Sequence, residues 1–263
     1  MRSITALIDH TEISQKVIEF TKQIARHQGV KAHLLTVVPK GDNKRSEECR
    51  SRLTEYNKEF YEAGLDVELH MIEGSFFDIV EGAVDKLHTS LVIIGTHGKK
   101  GLKQHIFGSN ILKLVQMLNV PSLVVQDSSE WHAGGFAKVL FPIAEHSQFE
   151  MKMQQTRELM DPNGMVELYT IYKTDRLNDE TAENVTKCQG FFEAEGIKYR
   201  LVEEEAKIYS VGYARQTIAY AGESNPHLIS IMAQAAGDTK VFGNVDKENV
   251  ILNELGIAVL CCH

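Results

Sequence analysis

The chain is predicted to be α/β, with two tandem doubly wound parallel five-stranded sheets flanked by helices. Three observations predict this. Short apolar runs alternate with amphipathic stretches along all 263 residues, the pattern of βα units on a parallel sheet. The succession of runs occurs twice, once in each half. In the first half a glycine-rich segment, Gly95 to Ser109, lies between an apolar run and an amphipathic stretch. Sheets of this kind bind ligands in such a setting, beyond the carboxyl ends of their strands.

In the first half, Ile4–Ile8 reads as a strand. Glu12–His27 reads as a helix, because Ile13, Val17, Phe20 and Ile24 recur on one face;. Ala32–Val38 is a strand, and a charged helix from about Lys44 to Ala63 stops at Gly64;. Leu65–Ile72 alternates as a strand does, and Phe76–Leu87 is helical. Leu91–Ile94 is the buried strand before the glycine segment. Ser109–Leu118 is a helix ending near Asn119, and Pro121–Val125 is the last strand.

The second half runs the same course: strand Val139–Ile143, helix Gln148–Met160, strand Met165–Ile171, helix Asp179–Glu195 stopped by Gly196, and strand Ile197–Val202. Helix Val211–Ala221, strand Leu228–Ile231, helix Asn244–Leu255 and strand Ile257–Leu260 complete it. The likeness extends to residues. Leu91-Val92-Ile93-Ile94 returns as Leu228-Ile229-Ser230-Ile231, and Phe107-Gly108-Ser109 as Phe242-Gly243-Asn244 across a loop two residues shorter. A duplicated unit of about 130 residues is an ordinary domain size. The polar, glycine-bearing segment Asp127–Gly135 divides the chain into domains 1-127 and 136-263.

Composition narrows the classes. An apolar fraction of 43% and a charged fraction of 24% suit a soluble globular protein. A net charge of −8 argues against nucleic acid as a partner, which calls for a basic face. No apolar run approaches the roughly 20 residues of a membrane span, so no membrane partner is expected. Asp9 comes too early for a secretory signal;, and a cytoplasmic location is expected. Cys49, Cys188, Cys261 and Cys262 form no CxxC or zinc spacing;. The vicinal pair is expected at the frayed end of a terminal strand, and no metal or catalytic residue is assigned.

The glycine segment reads Gly95-x2-Gly98-x9-Gly108-Ser109. Glycines allow close backbone approach, and the N–H groups at a helix start favour phosphate. The spacing is neither GxGxxG nor the Walker lysine motif. Lys99, Lys100 and Lys103 lie within it. They suit an anionic ligand or a merely solvated surface.

This motif, the opening strand ending at Asp9 and the closing Val120-Pro121-Ser122-Leu123-Val124-Val125 together resemble the universal stress protein family, as two tandem copies. The resemblance implies a Rossmann-like fold of the adenine nucleotide α-hydrolase type and an ATP site, with AMP or ADP as variants and Mg as companion ion. Asp9 would meet the ribose or a metal on the phosphates, though an acid there also suits a helix cap. Val37 would offer main-chain groups to adenine, or be plain strand core. Gly95 and Gly98 would let the loop fold over the phosphates. Gly108, Ser109 and Asn110 would present N–H groups and a hydroxyl to them. His97 would touch phosphate or stay in solvent. The family also implies self-association, either as a pseudo-dimer within the chain or as a homodimer of tandem chains.

The second copy departs from the motif. Met232-Ala233-Gln234-Ala235 replaces Gly95-Thr96-His97-Gly98, Asn244 takes the hydroxyl position and Ala144 takes that of Asp9. One nucleotide site per chain is therefore expected, in the first half, with the second half used for packing. The leading expectation is an ATP-binding stress or signalling protein that turns nucleotide over slowly, if at all. A scaffold binding a protein, lipid or metal is the alternative. A nucleotidyl-transfer enzyme would need basic or thiol groups beyond the loop lysines.

Overall fold

The computed structural model describes residues 1–97, 110–146, 149–173, 177–207, 213–234 and 244–263. These group into two units, Met1–Asp127 and Ser128–His263. In the first unit, β1 (Ser3–Leu7), β2 (Lys31–Val38), β3 (Val67–Glu73), β4 (Leu91–Gly95) and β5 (Ser122–Val125) pair in parallel in the order β3-β2-β1-β4-β5. Every residue of β1 and β4 is buried, as strands covered on both faces must be. The order reverses at β1, whose neighbours are β2 and β4. Their carboxyl ends form the switch point at which such sheets take ligands.

Helix α1 (Ile13–Gln28) buries Ile13, Val17, Phe20 and Ile24, the stripe that its spacing predicts, and ends at Gly29 with φ 62°. The Gly29 N–H donates to the Ala25 carbonyl, closing the helix in the left-handed conformation glycine adopts without strain. Helix α2 (Asn43–Glu62) starts at Asp42, whose side chain accepts the Arg45 N–H at 3.0 Å. Its buried residues, Cys49, Leu53, Tyr56 and Phe60, recur every three or four positions. That narrow stripe seats an otherwise charged helix on the sheet. Helices α3 (Phe76–Lys86) and α4 (Ile111–Met117) complete the unit.

The second unit contains β6 (Phe136–Ile143), α5 (Phe149–Arg157), β7 (Met160–Tyr172), α6 (Asp179–Ala194) and β8 (Lys198–Glu205). It continues with α7 (Tyr213–Ser224), β9 (Leu228–Met232), α8 (Asn244–Ile251) and β10 (Ala258–Cys262). Its strand order, β8-β7-β6-β9-β10, repeats that of the first unit. Two departures from the periodicity reading have a local physical cause. Met160 opens β7 instead of closing a helix: it pairs with Phe136, while Met165 pairs with Lys138, so the ladder slips over Asp161–Gly164. Pro162 has no N–H to give the ladder, and a side chain at Gly164 would meet the Ala137 and Asp161 carbonyls at 2.9 Å. Helix α8 stops at Ile251, well short of Leu255. The buried Asn253 amide donates to the Val250 and Ile257 carbonyls, and its oxygen accepts the Ile257 N–H at 3.0 Å. A local alternative to the helix ladder ends the helix there.

No described helix is long and apolar enough to cross a membrane.

Candidate functional site

Asp9 lies just past β1, buried. Its Oδ1 accepts three hydrogen bonds, from Thr11 N–H (3.0 Å), Thr11 Oγ1 (2.6 Å) and Ser14 Oγ (3.0 Å). The cap position of α1 belongs to Glu12, so Asp9 organises the β1–α1 loop instead of capping the helix. Its Oδ2 is buried and has no partner among the described residues. Next to it, His10 holds φ 63°, a left-handed conformation that side chains resist. Two contacts pin it: His10 Nε2 lies 3.1 Å from Thr36 Oγ1, and the Arg52 guanidinium donates to its carbonyl. Burial, with Arg52 adding to it, pushes the His10 imidazole down to about 4, so the ring is neutral at physiological pH.

Asp9, His10 and Thr11 form one wall of a 490 Å³ cavity, and Lys44, Arg45, Glu48 and Arg52 of α2 form another. Cationic groups and Asp9 thus share one cleft at the strand ends. The sequence reading did not single out His10, Arg45 or Arg52. The spacing of Arg45, Cys49 and Arg52 along one face of α2 was the available signal. The strained His10 backbone had none.

Val37 lies near the end of β2, opposite Ile72 and buried. Gly95 ends β4. A Cβ built on it would meet Ile13 Cγ1 at 2.7 Å and Val17 Cγ2 at 2.8 Å, so the missing side chain lets α1 close onto the strand. His97 Nδ1 stands 2.9 Å from Asp127 Oδ2, with 14% of the His97 side chain exposed. Asn110 holds the cap position of α4 without a side-chain cap bond. Gly98, Gly108 and Ser109 lie outside the described residues, as do Lys99, Lys100 and Lys103.

The second unit presents different chemistry at the equivalent ends. Ala144 follows β6, and its carbonyl accepts Asn184 Nδ2 at 3.0 Å. Thr21 Oγ1 bonds the Val17 carbonyl and Thr156 Oγ1 bonds the Lys152 carbonyl, both at 2.6 Å, so Lys152 stands where Val17 stands in the first unit. Its ammonium donates to the Pro142 carbonyl and lies 3.9 Å from the Phe141 ring centroid. Burial pulls this amine down to about 7. Lys247 of α8 donates to the Met232 carbonyl at 2.6 Å and to that of Gln234, and burial pulls it down to about 8. Met232 occupies the place of Gly95. The end of β9 therefore turns carbonyls towards an ammonium of the chain itself.

Cys261 and Cys262 are buried members of β10, not a frayed end. Burial pushes the Cys262 thiol up to about 11. Ala235 and Gly243 lie outside the described residues. A separate 360 Å³ cavity opens over the ends of β6 and β7, lined by Glu145, Tyr169, Tyr172, Lys173, Asn178 and Tyr213 among others.

Known proteins share these features to differing extents. The chain is 27% identical over 84 residues to universal stress protein MJ0577 of Methanocaldococcus jannaschii, a match covering 32% of this chain and 52% of that protein. It thus spans about half the length of that curated relative. The crystal structure of a universal stress protein from Archaeoglobus fulgidus superposes with a TM-score of 0.73 at 17% identity, covering 99% of this chain and 95% of that one. A functionally unknown protein, PA1789, from Pseudomonas aeruginosa superposes at 0.66 and 16% identity, covering 99% and 92%. At these identities the two structures establish the fold alone. Residues 1–126 match the model of the universal stress protein family, and that domain belongs to the universal stress protein family.

Proposed function

We propose that this is a tandem universal stress protein whose N-terminal unit, 1-127, binds one adenine nucleotide, ATP with Mg foremost, while the C-terminal unit, 136-263, binds none. One observation carries the reading: the buried, unpartnered Oδ2 of Asp9 at the switch point. An unsatisfied buried acceptor costs about 1–3 kcal/mol, and a ribose hydroxyl or a phosphate-bound metal would satisfy it. Arg45 and Arg52 on the far wall of the same cleft complement phosphate charge. Gly98, Gly108, Ser109 and Asn110 would supply the phosphate N–H groups, and Val37 the adenine contact.

Against a second site stand Ala144, which brings no carboxylate, and Lys247, whose ammonium is committed to carbonyls at the end of β9. In this reading the bound nucleotide acts as a signal, and turnover is slow at most. Self-association of tandem chains accompanies this role, and light scattering reads it.

The test is to denature the purified protein and chromatograph what it releases, then to melt it with and without Mg-ATP. Released adenine nucleotide near one equivalent, or a rise in Tm with Mg-ATP, is expected. Absence of both the nucleotide and the shift overturns the reading. A second reading rests on the 360 Å³ cavity with its three tyrosines and Lys173, which suits a small ligand in the C-terminal unit. Retention of a non-nucleotide compound that Tyr172→Ala abolishes would favour it.

A further inference from the structure

Three side chains in the first unit, remote from the strand ends, converge on one point. His33 is on β2 and stands directly opposite Glu68 of β3, with His70 two residues further along β3. Side chains two apart on a strand share a face, and those opposite across a ladder are neighbours, so all three project on the same side. His33 Nδ1 and His70 Nε2 are 3.1 Å apart. Glu68 Oε2 lies 3.4 Å from the first and 3.8 Å from the second. Ligand atoms about 2.0–2.1 Å from a zinc ion at tetrahedral angles stand about 3.3 Å from one another. The three separations bracket that value.

The orientation is also that of ligands. The two rings are tilted by 51° with centroids 5.2 Å apart, so nitrogen atoms meet instead of ring faces. By contrast, a second close imidazole pair, His132 and His227, brings its ring centroids to 3.9 Å, and among the described residues no carboxylate joins it as a third ligand within the distance at which one ion is shared. Glu68 is held as well: Lys31 Nζ takes its Oε1 at 2.6 Å, leaving Oε2 turned to the imidazoles. An outer partner that fixes a ligating carboxylate in this way is a regular part of metal sites.

We propose that His33, Glu68 and His70 bind one divalent transition-metal ion of the zinc class. Two imidazoles and a carboxylate suit zinc, with copper and nickel as competitors. His33 is buried, His70 about a quarter exposed and Glu68 half exposed, so the fourth coordination position opens to solvent. The ion ties the outer strand β3 to β2. It is independent of the nucleotide: Val37 marks the other end of β2, about 13 Å along the strand from His33.

The experiment uses the full chain, freed of metal with a chelator and titrated with zinc chloride by calorimetry. Cobalt chloride is followed in parallel by its visible absorption. One zinc per chain is expected, with the intense bands of four-coordinate cobalt. His70→Ala and Glu68→Gln, both at partly exposed positions, each weaken zinc by at least about 10-fold, while His132→Ala leaves it unchanged. Circular dichroism verifies that the variants fold. Absence of zinc binding overturns the proposal. So does zinc binding that persists undiminished in His70→Ala and Glu68→Gln, or that His132→Ala removes. Mg-ATP binding is measured on the same samples, and its loss or survival bears only on the nucleotide reading.

Discussion

Replacing Lys152 by Met makes the buried cations of the second unit measurable. Lys152 is 2% exposed, and burial lowers its amine from 10.5 to about 7. In the unfolded chain the amine keeps its ordinary value, so between pH 7 and 10.5 the unfolded state binds more protons than the native one. The folded pKa is depressed. The stability linked to this group is therefore complete above the unfolded pKa and is lost as pH falls towards 7. Integrating the two titrations from pH 7.5 to 8.5 gives a gain of about 1 kcal/mol from Lys152. Lys247, lowered to about 8 by burial, adds a further gain of the same sign, common to both proteins. The buried thiols titrate in the opposite sense, because burial holds Cys188, Cys261 and Cys262 above their ordinary value. They too are common to both proteins and cancel in the difference. Met cannot titrate, so wild-type stability relative to Lys152→Met should improve by about 1 kcal/mol over that one pH unit. The chain has one tryptophan. Trp131 lies in the second unit and packs edge-on against Phe136, centroids 5.0 Å apart, so urea titrations followed by its fluorescence report on the right unit. A difference between the two proteins that is the same at pH 7.5 and 8.5 would refute a desolvated ammonium at this position.

Other expectations are simpler. Gly95→Ala forces a methyl group into Ile13 and Val17 at 2.7–2.8 Å and should destabilise the first unit by about 1–3 kcal/mol, read as a lower Tm by circular dichroism. An unchanged Tm would mean that α1 does not close on Gly95. Asn253→Ala strips three hydrogen bonds from the end of α8 and the entry to β10 and should cost about 1–3 kcal/mol in the Trp131-monitored transition. Mg-ATP affinity should fall as salt rises from low to about 0.5 M, since Arg45 and Arg52 face the cleft and exposed charges are screened over about 10 Å at 0.1 M. A salt-independent affinity would remove them from phosphate recognition.

The strand and helix succession was legible because burial follows apolar pattern: the stripe of α1 and the buried strands β1 and β4 lie where periodicity predicts. The Asp161–Gly164 slip was not, since Met160 continues a helical apolar spacing and only the pairing with Phe136 decides against it. Nothing in the sequence marks Lys152 and Lys247, because lysine is almost never fully buried without a partner. Their burial follows from carbonyls that converge only in the fold. At the first site, the position of Asp9 at the end of a strand was legible, and its proposed role came from the family resemblance. Its idle oxygen, the left-handed His10 and the approach of Arg52 were not, because each depends on α2 lying against the β1–α1 loop. His33 and His70 are far apart in the chain and become neighbours through the β2–β3 register alone.

The most direct test is the stoichiometry of Mg-ATP by calorimetry on the full chain and on Asp9→Asn. Asparagine preserves an acceptor for Thr11 and Ser14 but puts an amide where the unpartnered carboxylate oxygen stands. One nucleotide per chain, weakened at least about 10-fold in Asp9→Asn, a loss of about 1.4 kcal/mol or more, is the predicted result. Two nucleotides per chain, or one bound equally well by both proteins, would contradict it.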